Sequence, residues 1–307
     1  MVQINVNGYF TPIINQQRGL RQGDPLSPIL FNLALEPLLL AINQDNDMNG
    51  YRYVNTGIEH RVKTLAYADD MCIMVDSVPD YNRLHHHLNR YSMVSNAKLN
   101  QEKTEAFALS GYPNETWKAY LLQQKISVYH TDRSSEPFRY LGYRIMFTTA
   151  QRSFLQDQLI AKVKDQVRIY SQRQISLRGR ATIMNTLILT KIWYCLRLLH
   201  PTLAFFTELK KIIYAFVWQH KRPLISFDQL CLPIAQGGLG VLNPRLQHIV
   251  LQIRHLRHIF NNTNYPSLVQ STIKHHLSLI AGNDRFYSIS LFVPALRKHD
   301  LNHAFHI

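Results

Sequence analysis

Two adjacent carboxylates, Asp69 and Asp70, stand between two short apolar runs in Leu65-Ala66-Tyr67-Ala68-Asp69-Asp70-Met71-Cys72-Ile73-Met74-Val75. No other stretch constrains the chain as tightly. Residues 62–67 and 71–75 have strand composition, and Ala68-Asp69-Asp70 between them reads as a tight hairpin tip. Such a tip lifts two acids above a sheet face. Side by side they repel each other and resist burial unless a cation lies between them and a substrate. Hard divalent ions such as Mg2+ favour this oxygen ligation, shared with phosphate. Aspartate favours turns by itself, so a plain solvated turn is the alternative. The flanks argue against it, because a solvated turn does not need strands on both sides that read as central and buried.

Upstream lies a basic, glycine-containing loop, Arg18-Gly19-Leu20-Arg21-Gln22-Gly23, followed by Asp24-Pro25-Leu26-Ser27-Pro28-Ile29-Leu30-Phe31. Gly19 and Gly23 allow close approach of backbone to a ligand. Arg18 and Arg21 can counter phosphate charge, and Gln22 can hydrogen-bond a sugar or base. Ser27 reads as an N-cap and Pro28 as the first helical residue. The helix is expected to run to about Ile42, kinked at Pro37. Before the loop, residues 2–6 and 9–14 around Asn7-Gly8 read as a hairpin with a type I′ turn.

Tyr67-Ala68-Asp69-Asp70 resembles the polymerase signature of reverse transcriptases, and the 18–31 stretch resembles the neighbouring family box, in the right order and at a plausible distance. The chain resembles reverse transcriptases of non-LTR (LINE-type) retrotransposons from its start to about Asn243. The resemblance implies an α+β fold: a partial right-hand polymerase palm (antiparallel sheet with helices), then an α-helical thumb and a helical C-terminal region. It implies a partial palm over 1–148, a thumb over 149–220 and a helical extension over 221–307. The implied reaction is RNA-templated addition of dNTPs to a DNA 3′ end with Mg2+ or Mn2+. Asp69 is the main metal ligand by this resemblance, with Asp70 its neighbour, and Arg21, Gln22 and Gly23 shape the nucleotide site. Asp24 stands where many relatives carry a small or thiol residue and is given no metal role.

After the hairpin, residues 79–95 read as an amphipathic helix with Tyr81, Leu84, Leu88, Tyr91 and Val94 facing the sheet. The consecutive His85, His86 and His87 point in different directions, which makes them a solvated face rather than a metal site. Asn96-Ala97-Lys98-Leu99-Asn100-Gln101-Glu102-Lys103-Thr104-Glu105 resembles the next family box. A lysine there can stabilise or protonate departing pyrophosphate; Lys103, in the matching Lys-Thr pair, is the first choice and Lys98 the second. Residues 112–124 read as a short helix. Phe138-Arg139-Tyr140-Leu141-Gly142-Tyr143-Arg144-Ile145 resembles the hairpin that positions the primer end, with Gly142 permitting a bend or a close approach of nucleic-acid backbone.

The character turns helical from Gln151. Residues 155–173, 177–199 and 203–218 read as helices, and much of the positive charge lies here, on Lys162, Lys164, Arg168, Arg173, Arg178, Arg180 and Lys191. This resembles a thumb gripping template–primer duplex through phosphates, with Arg178, Arg180 and Lys191 as nucleic-acid contacts. Gly237-Gly238-Leu239-Gly240 lacks a following Lys-Ser or Lys-Thr and is no P-loop. Residues 244–260 read as a further basic helix.

Charge supports a polyanionic partner: 34 Lys and Arg against 20 Asp and Glu give +14 over 307 residues. Cys72, Cys195 and Cys231 are scattered, without a zinc pattern or disulfide framework, which suits a reducing interior, nucleus or cytoplasm. The most apolar stretch, 26–42, is too short and too interrupted by Asn32, Glu36 and Pro37 to span a bilayer. Two-metal transfer needs carboxylates holding both ions. In the family a third aspartate on an earlier strand bridges them, yet no acid precedes Asp24 here. The expectation is a chain lacking that strand and the fingers, needing them for activity. A non-catalytic nucleic-acid-binding remnant is the second reading, and a group II intron-type maturase a third.

Overall fold

A computed structural model describes residues 3–15, 23–55 and 58–261, with Ile273 and Leu277. Arg18, Gly19, Arg21 and Gln22 of the basic loop lie outside the described residues. The chain divides into two compact units, residues 1–100 and 101–307.

The first unit opens with strands β1 (Asn5–Val6) and β2 (Tyr9–Phe10), paired antiparallel about Asn7-Gly8. Both turn residues have positive φ, 52° and 93°, the type I′ pattern that matches strand twist. The ladder is shorter than the sequence suggests. Helix α1 (Ser27–Gln44) follows. Its cap is Leu26, not Ser27, and no side chain caps it. Asp24, two residues before the cap, accepts from the Leu26 amide at 2.9 Å in the turn that leads into the helix. Pro37 sits inside the helix and withholds one backbone donor.

Strands β3 (Tyr51–Asn55) and β4 (Ile58–Val62) form one antiparallel pair, β5 (Thr64–Tyr67) and β6 (Asp70–Ile73) another. Helix α2 (Val78–Ser95) closes the unit, its Ser77 side chain capping the Asp80 amide. The core is small. Leu35, Leu38 and Ile42 of α1 meet Met48 and Leu84, with Met71, Ile73, Val75, Leu88 and Tyr91 packed around them. Tyr91 also donates to Ala34 O at 2.9 Å, stitching α2 to α1. Val94, expected on this face, is 90 % exposed.

Buried charge holds this unit together. The Asp45 side chain is almost fully buried and takes two charge-assisted bonds from Arg83, at 2.7 and 2.8 Å, and one contact from His87 at 2.7 Å. The Arg83 bonds and the His87 contact hold its carboxyl well below the usual carboxylate range. Lys63, also buried, donates to the carbonyls of Asn43 and Asp45, the orphan acceptors at the end of α1. Burial pushes its ammonium pKa down, and the Asp45 carboxylate pulls it back. His87 is thus no part of a solvated face, contrary to the sequence reading. Tyr81 occupies His85 in the same way, through a 2.9 Å contact to its hydroxyl.

The second unit begins with a 3-10 turn (Gln101–Lys103). Strands β7 (Ala106–Phe107) and β8 (Tyr129–His130) pair in parallel, with helix α3 (Glu115–Gln123) between them. Strands β9 (Phe138–Tyr140) and β10 (Tyr143–Ile145) form a hairpin. Helix α4 (Thr149–Ser171) leaves it with Thr148 as cap. Buried Gln151 fixes this exit, accepting from the Phe147 amide and donating to the carbonyls of Thr131 and Ser134.

The helical run read over 177–199 is α5 (Leu177–Ile183), a π turn (Met184–Ile188) and α6 (Thr190–Leu196) in sequence. The wide turn presents Asn185, whose amide donates to Gly240 O and accepts from the Leu242 amide. Helix α7 (Leu203–Trp218) has the limits the sequence suggests. Short α8 (Phe227–Cys231) and α9 (Pro244–Asn261) complete the unit. Its core is large and continuous: Leu159, Val163, Ile188, Ile192, Leu196, Leu209, Ile213, Val217 and Leu230 are nearly or wholly buried. Gly238 explains the glycine cluster, since a Cβ there would stand 2.0 Å from Leu232 O.

The α+β class holds, in the form of helices with small sheets. Among the described residues, however, the strands form five separate two-stranded pairs, four antiparallel and one parallel, not one antiparallel sheet. Strands of two to five residues satisfy only their immediate neighbours.

Candidate active site and nucleic-acid interface

The β5–β6 hairpin turns on two residues, Ala68 and Asp69, with Tyr67 paired to Asp70. Asp69 therefore sits on the turn and Asp70 opens the outgoing strand. The two are adjacent but project from different backbone settings. Ala68 takes φ 52°, a region that a Cβ disfavours. The paired strands on either side hold the turn in this conformation.

Register decides what each face meets. Met71 and Ile73, with cross-strand Ala66 and Thr64, face the core of α1 and α2. The opposite face carries Leu65, Tyr67, Asp70 and Cys72. Tyr67 is 69 % exposed and Leu65 42 %. The strands flanking the acids are thus half-covered and pair only with each other among the described residues, not central and buried as their composition suggests. Asp69 and Asp70 are exposed, and neither makes an ion pair or side-chain hydrogen bond among the described residues. Two hard oxygen donors without a protein cation suit a divalent ion in chemistry. They do not complete a site, since no group of three His, Cys, Asp or Glu residues that could hold a metal occurs among the described residues.

Glycine at position 68 removes the Cβ penalty. The left-handed conformation costs about 1–2 kcal/mol for alanine, against about 0.4–1 kcal/mol of unfolded-state entropy that glycine adds. Ala68→Gly is therefore expected to raise the melting temperature by a few degrees, roughly 2–4 °C. Calorimetry that shows a fall instead would mean that the tip is not strained.

Gly23 is exposed with φ 90°, a conformation suited to glycine, and lies just before α1. Lys103 closes the 3-10 turn at the start of the second unit. Gly142 stands with Leu141 at the β9–β10 tip, at φ 81° and 49°. The space beside its Cα is filled by a tyrosine, since a Cβ would meet the Tyr194 ring at 3.1 Å. Arg178 and Lys191 are exposed on α5 and α6. Arg180 differs from them: its guanidinium turns inward, donating to Val217 O at 2.7 Å and Ile175 O at 2.6 Å. Its positive charge serves the fold.

No Asp or Glu occurs from 166 to 207, a stretch holding Arg168, Arg173, Arg178, Arg180, Lys191 and Arg197. An acid-free run with exposed cations is a phosphate-binding surface in character. Sequence reasoning missed Lys63, Asp45 and Tyr194. A lysine directly before an apolar strand hinted at Lys63; Asp45 and Tyr194 depend on contacts between distant residues and left no periodic signal.

Residues 2–145 match the family model described as reverse transcriptase (RNA-dependent DNA polymerase). That segment, a little under half of the chain, is similar to reverse transcriptases. The relatives that the chain resembles are proteins of transposons and retrotransposable elements. The chain is 28% identical over 247 residues to the transposon TX1 uncharacterized 149 kDa protein of Xenopus laevis, covering 80% of this chain and 18% of that one. It is 23% identical over 277 residues to the retrovirus-related Pol polyprotein from type-2 retrotransposable element R2DM of Drosophila melanogaster, covering 88% of this chain and 25% of that one. A retrovirus-related Pol polyprotein from type-1 retrotransposable element R2 of Popillia japonica matches at 29% identity over 130 residues, 41% of this chain and 17% of that one. The chain thus spans a quarter or less of the length of these relatives. No helix among the described residues is long and apolar enough to cross a membrane.

Proposed function

We propose that this chain is part of an RNA-directed DNA polymerase of a retrotransposon, adding dNTPs to a DNA 3′ end on an RNA template. One observation carries the reading: a two-residue turn presents Asp69 and Asp70 exposed, with no ion pair or side-chain hydrogen bond among the described residues, in a segment that matches the reverse-transcriptase family model. Asp69 and Asp70 would hold Mg2+ or Mn2+, which when bound activates the attacking 3′-hydroxyl and neutralises triphosphate charge. Arg21, Gln22 and Gly23 shape the nucleotide pocket, and Lys103 meets the triphosphate as acid or counter-charge. Residues 1–148 act as palm, 149–220 as thumb and 221–307 as a helical extension. Gly142 belongs to the primer-holding hairpin, and Arg178 and Lys191 grip duplex phosphates. Arg180, engaged with two carbonyls, leaves that task to them.

The incomplete carboxylate set favours a second reading, a nucleic-acid-binding chain without catalysis of its own. Both readings require salt-sensitive binding. Titrating an RNA–DNA hybrid by fluorescence anisotropy across a salt series is expected to give a steep linear fall of log K with log salt. Arg178→Ala with Lys191→Ala reduces the slope by about 2, roughly one per lost phosphate contact. Asp69→Asn leaves the slope unchanged. Binding indifferent to salt contradicts both readings. Mn2+ bound at the tip, observed by electron paramagnetic resonance and lost in Asp69→Asn, separates the polymerase reading from the binding-only one.

A further inference from the structure

We propose that Tyr194 is a positioning residue that clamps the β9–β10 tip to helix α6, so that the tip and the basic face of the helix meet a nucleic-acid 3′ end as one rigid surface. The proposal rests on the polymerase reading above. Tyr194 donates its hydroxyl proton to Leu141 O at 2.6 Å. Its ring stacks on Tyr143, with centroids 4.2 Å apart and planes at 25°. Between these two contacts lies Gly142, where a Cβ would stand 3.1 Å from the ring and press it back by a few tenths of an ångström. The clamp therefore holds all three residues 141–143.

The tip requires holding. Leu141 and Gly142 both have positive φ, and Leu141 pays the Cβ penalty of that region. The base of the hairpin is anchored by buried Phe138, stacked on Phe107, and by Arg144 beside Glu136, and the tip lies at the opposite end of its three-residue strands. The bond from Tyr194 satisfies the Leu141 carbonyl in the conformation that strains it. Tyr194 is still 42 % exposed. Lys191 and Arg197 lie three residues before and after it, on the same side of the helix, and both are exposed. An aromatic edge between two cations, in an acid-free stretch, suits a strand end with its flanking phosphates.

Two variants of the full chain separate the contacts. Tyr194→Phe keeps the stack and removes the hydrogen bond; Tyr194→Ala removes both. Hydrogen exchange without nucleic acid reads the clamp directly. Amides of 138–145 are expected to exchange about ten-fold faster in Tyr194→Phe and faster still in Tyr194→Ala, with 155–163 unchanged. Unchanged exchange at the tip overturns the clamp. Anisotropy then compares an RNA–DNA hybrid bearing a recessed DNA 3′ end with a blunt hybrid of equal length. Tyr194→Ala is expected to weaken the recessed hybrid about ten-fold more than the blunt one. Equal losses on both overturn the positioning role and leave Tyr194 a structural residue. A wild-type chain that binds neither hybrid overturns the polymerase reading and the 3′-end role with it, while exchange still decides the clamp.

Discussion

Replacing Asp69 with asparagine is expected to abolish Mn2+ binding at the β5–β6 tip. In a preparation that extends a primer, it should lower kcat by about a thousand-fold or more, close to 4 kcal/mol of barrier. The substitution keeps the shape of the side chain and removes the charge, so fold and duplex affinity stay as they are. Asp70→Asn is expected to cost less, because Asp70 opens a strand and adds charge beside the ligand rather than standing on the turn. The isolated 307-residue polypeptide is expected not to extend a primer, since two carboxylates cannot hold two ions by themselves. Robust synthesis by that polypeptide, abolished by Asp69→Ala, would falsify the incomplete-site argument. The decisive measurement is single-nucleotide addition on a labelled primer–template, with the variant and wild type at equal bound fraction.

Local chemistry made the hairpins legible. Asn7-Gly8 announces its own turn type, and the Asp pair between apolar runs announces the β5–β6 tip, because turn geometry is fixed by two residues and their neighbours. Helix α7 was legible at both ends because Thr202 caps it and an apolar stripe runs its whole length. The cap of α1 was misread by one residue: Ser27 is the first helical residue, Leu26 is the cap without a side-chain bond, and Asp24 holds the Leu26 amide in the turn before it. The composition of β5 and β6 suggested burial on both faces, but Met71 and Ile73 pack on the core, Cys72 is half-buried on the other face, and Leu65 and Tyr67 are left exposed. Arg180 illustrates the general difficulty. Its neighbour Arg178 is an equal cation in sequence, yet helical rotation turns one guanidinium onto backbone carbonyls and leaves the other exposed. Whether a charge serves fold or ligand is set by contacts dozens of residues away, which no local pattern records.

The buried network behind the hairpin yields the second large effect. Asp45→Ala is expected to destabilise the first unit by about 3 kcal/mol, the lower end for breaking a buried ion pair. The lower end applies because two cations keep other partners: Arg83 retains Asp47 at 3.2 Å, and Lys63 retains two backbone carbonyls. His87 loses its 2.7 Å contact to the carboxylate and keeps only ring contact with His86 among the described residues. The pH dependence identifies the cause. The carboxyl of Asp45 titrates lower in the folded chain than in the unfolded one, whose value is about 3.9. The unfolded state therefore binds the extra proton first on acidification. Stability from Asp45 is complete above about pH 4 and is lost as pH falls further through the folded value. Wild type and Asp45→Ala should consequently differ most at neutral pH and converge toward pH 2, seen in urea unfolding followed by hydrogen exchange of residues 27–95. A constant gap across that range would mean that packing, not charge, is what Asp45 contributes. Because Lys63 immediately precedes the strand that leads to Asp69, loosening this network also loosens the base of the β5–β6 hairpin: Met74 N, which bonds Lys63 O at 2.8 Å, should lose protection in the variant before the helices do.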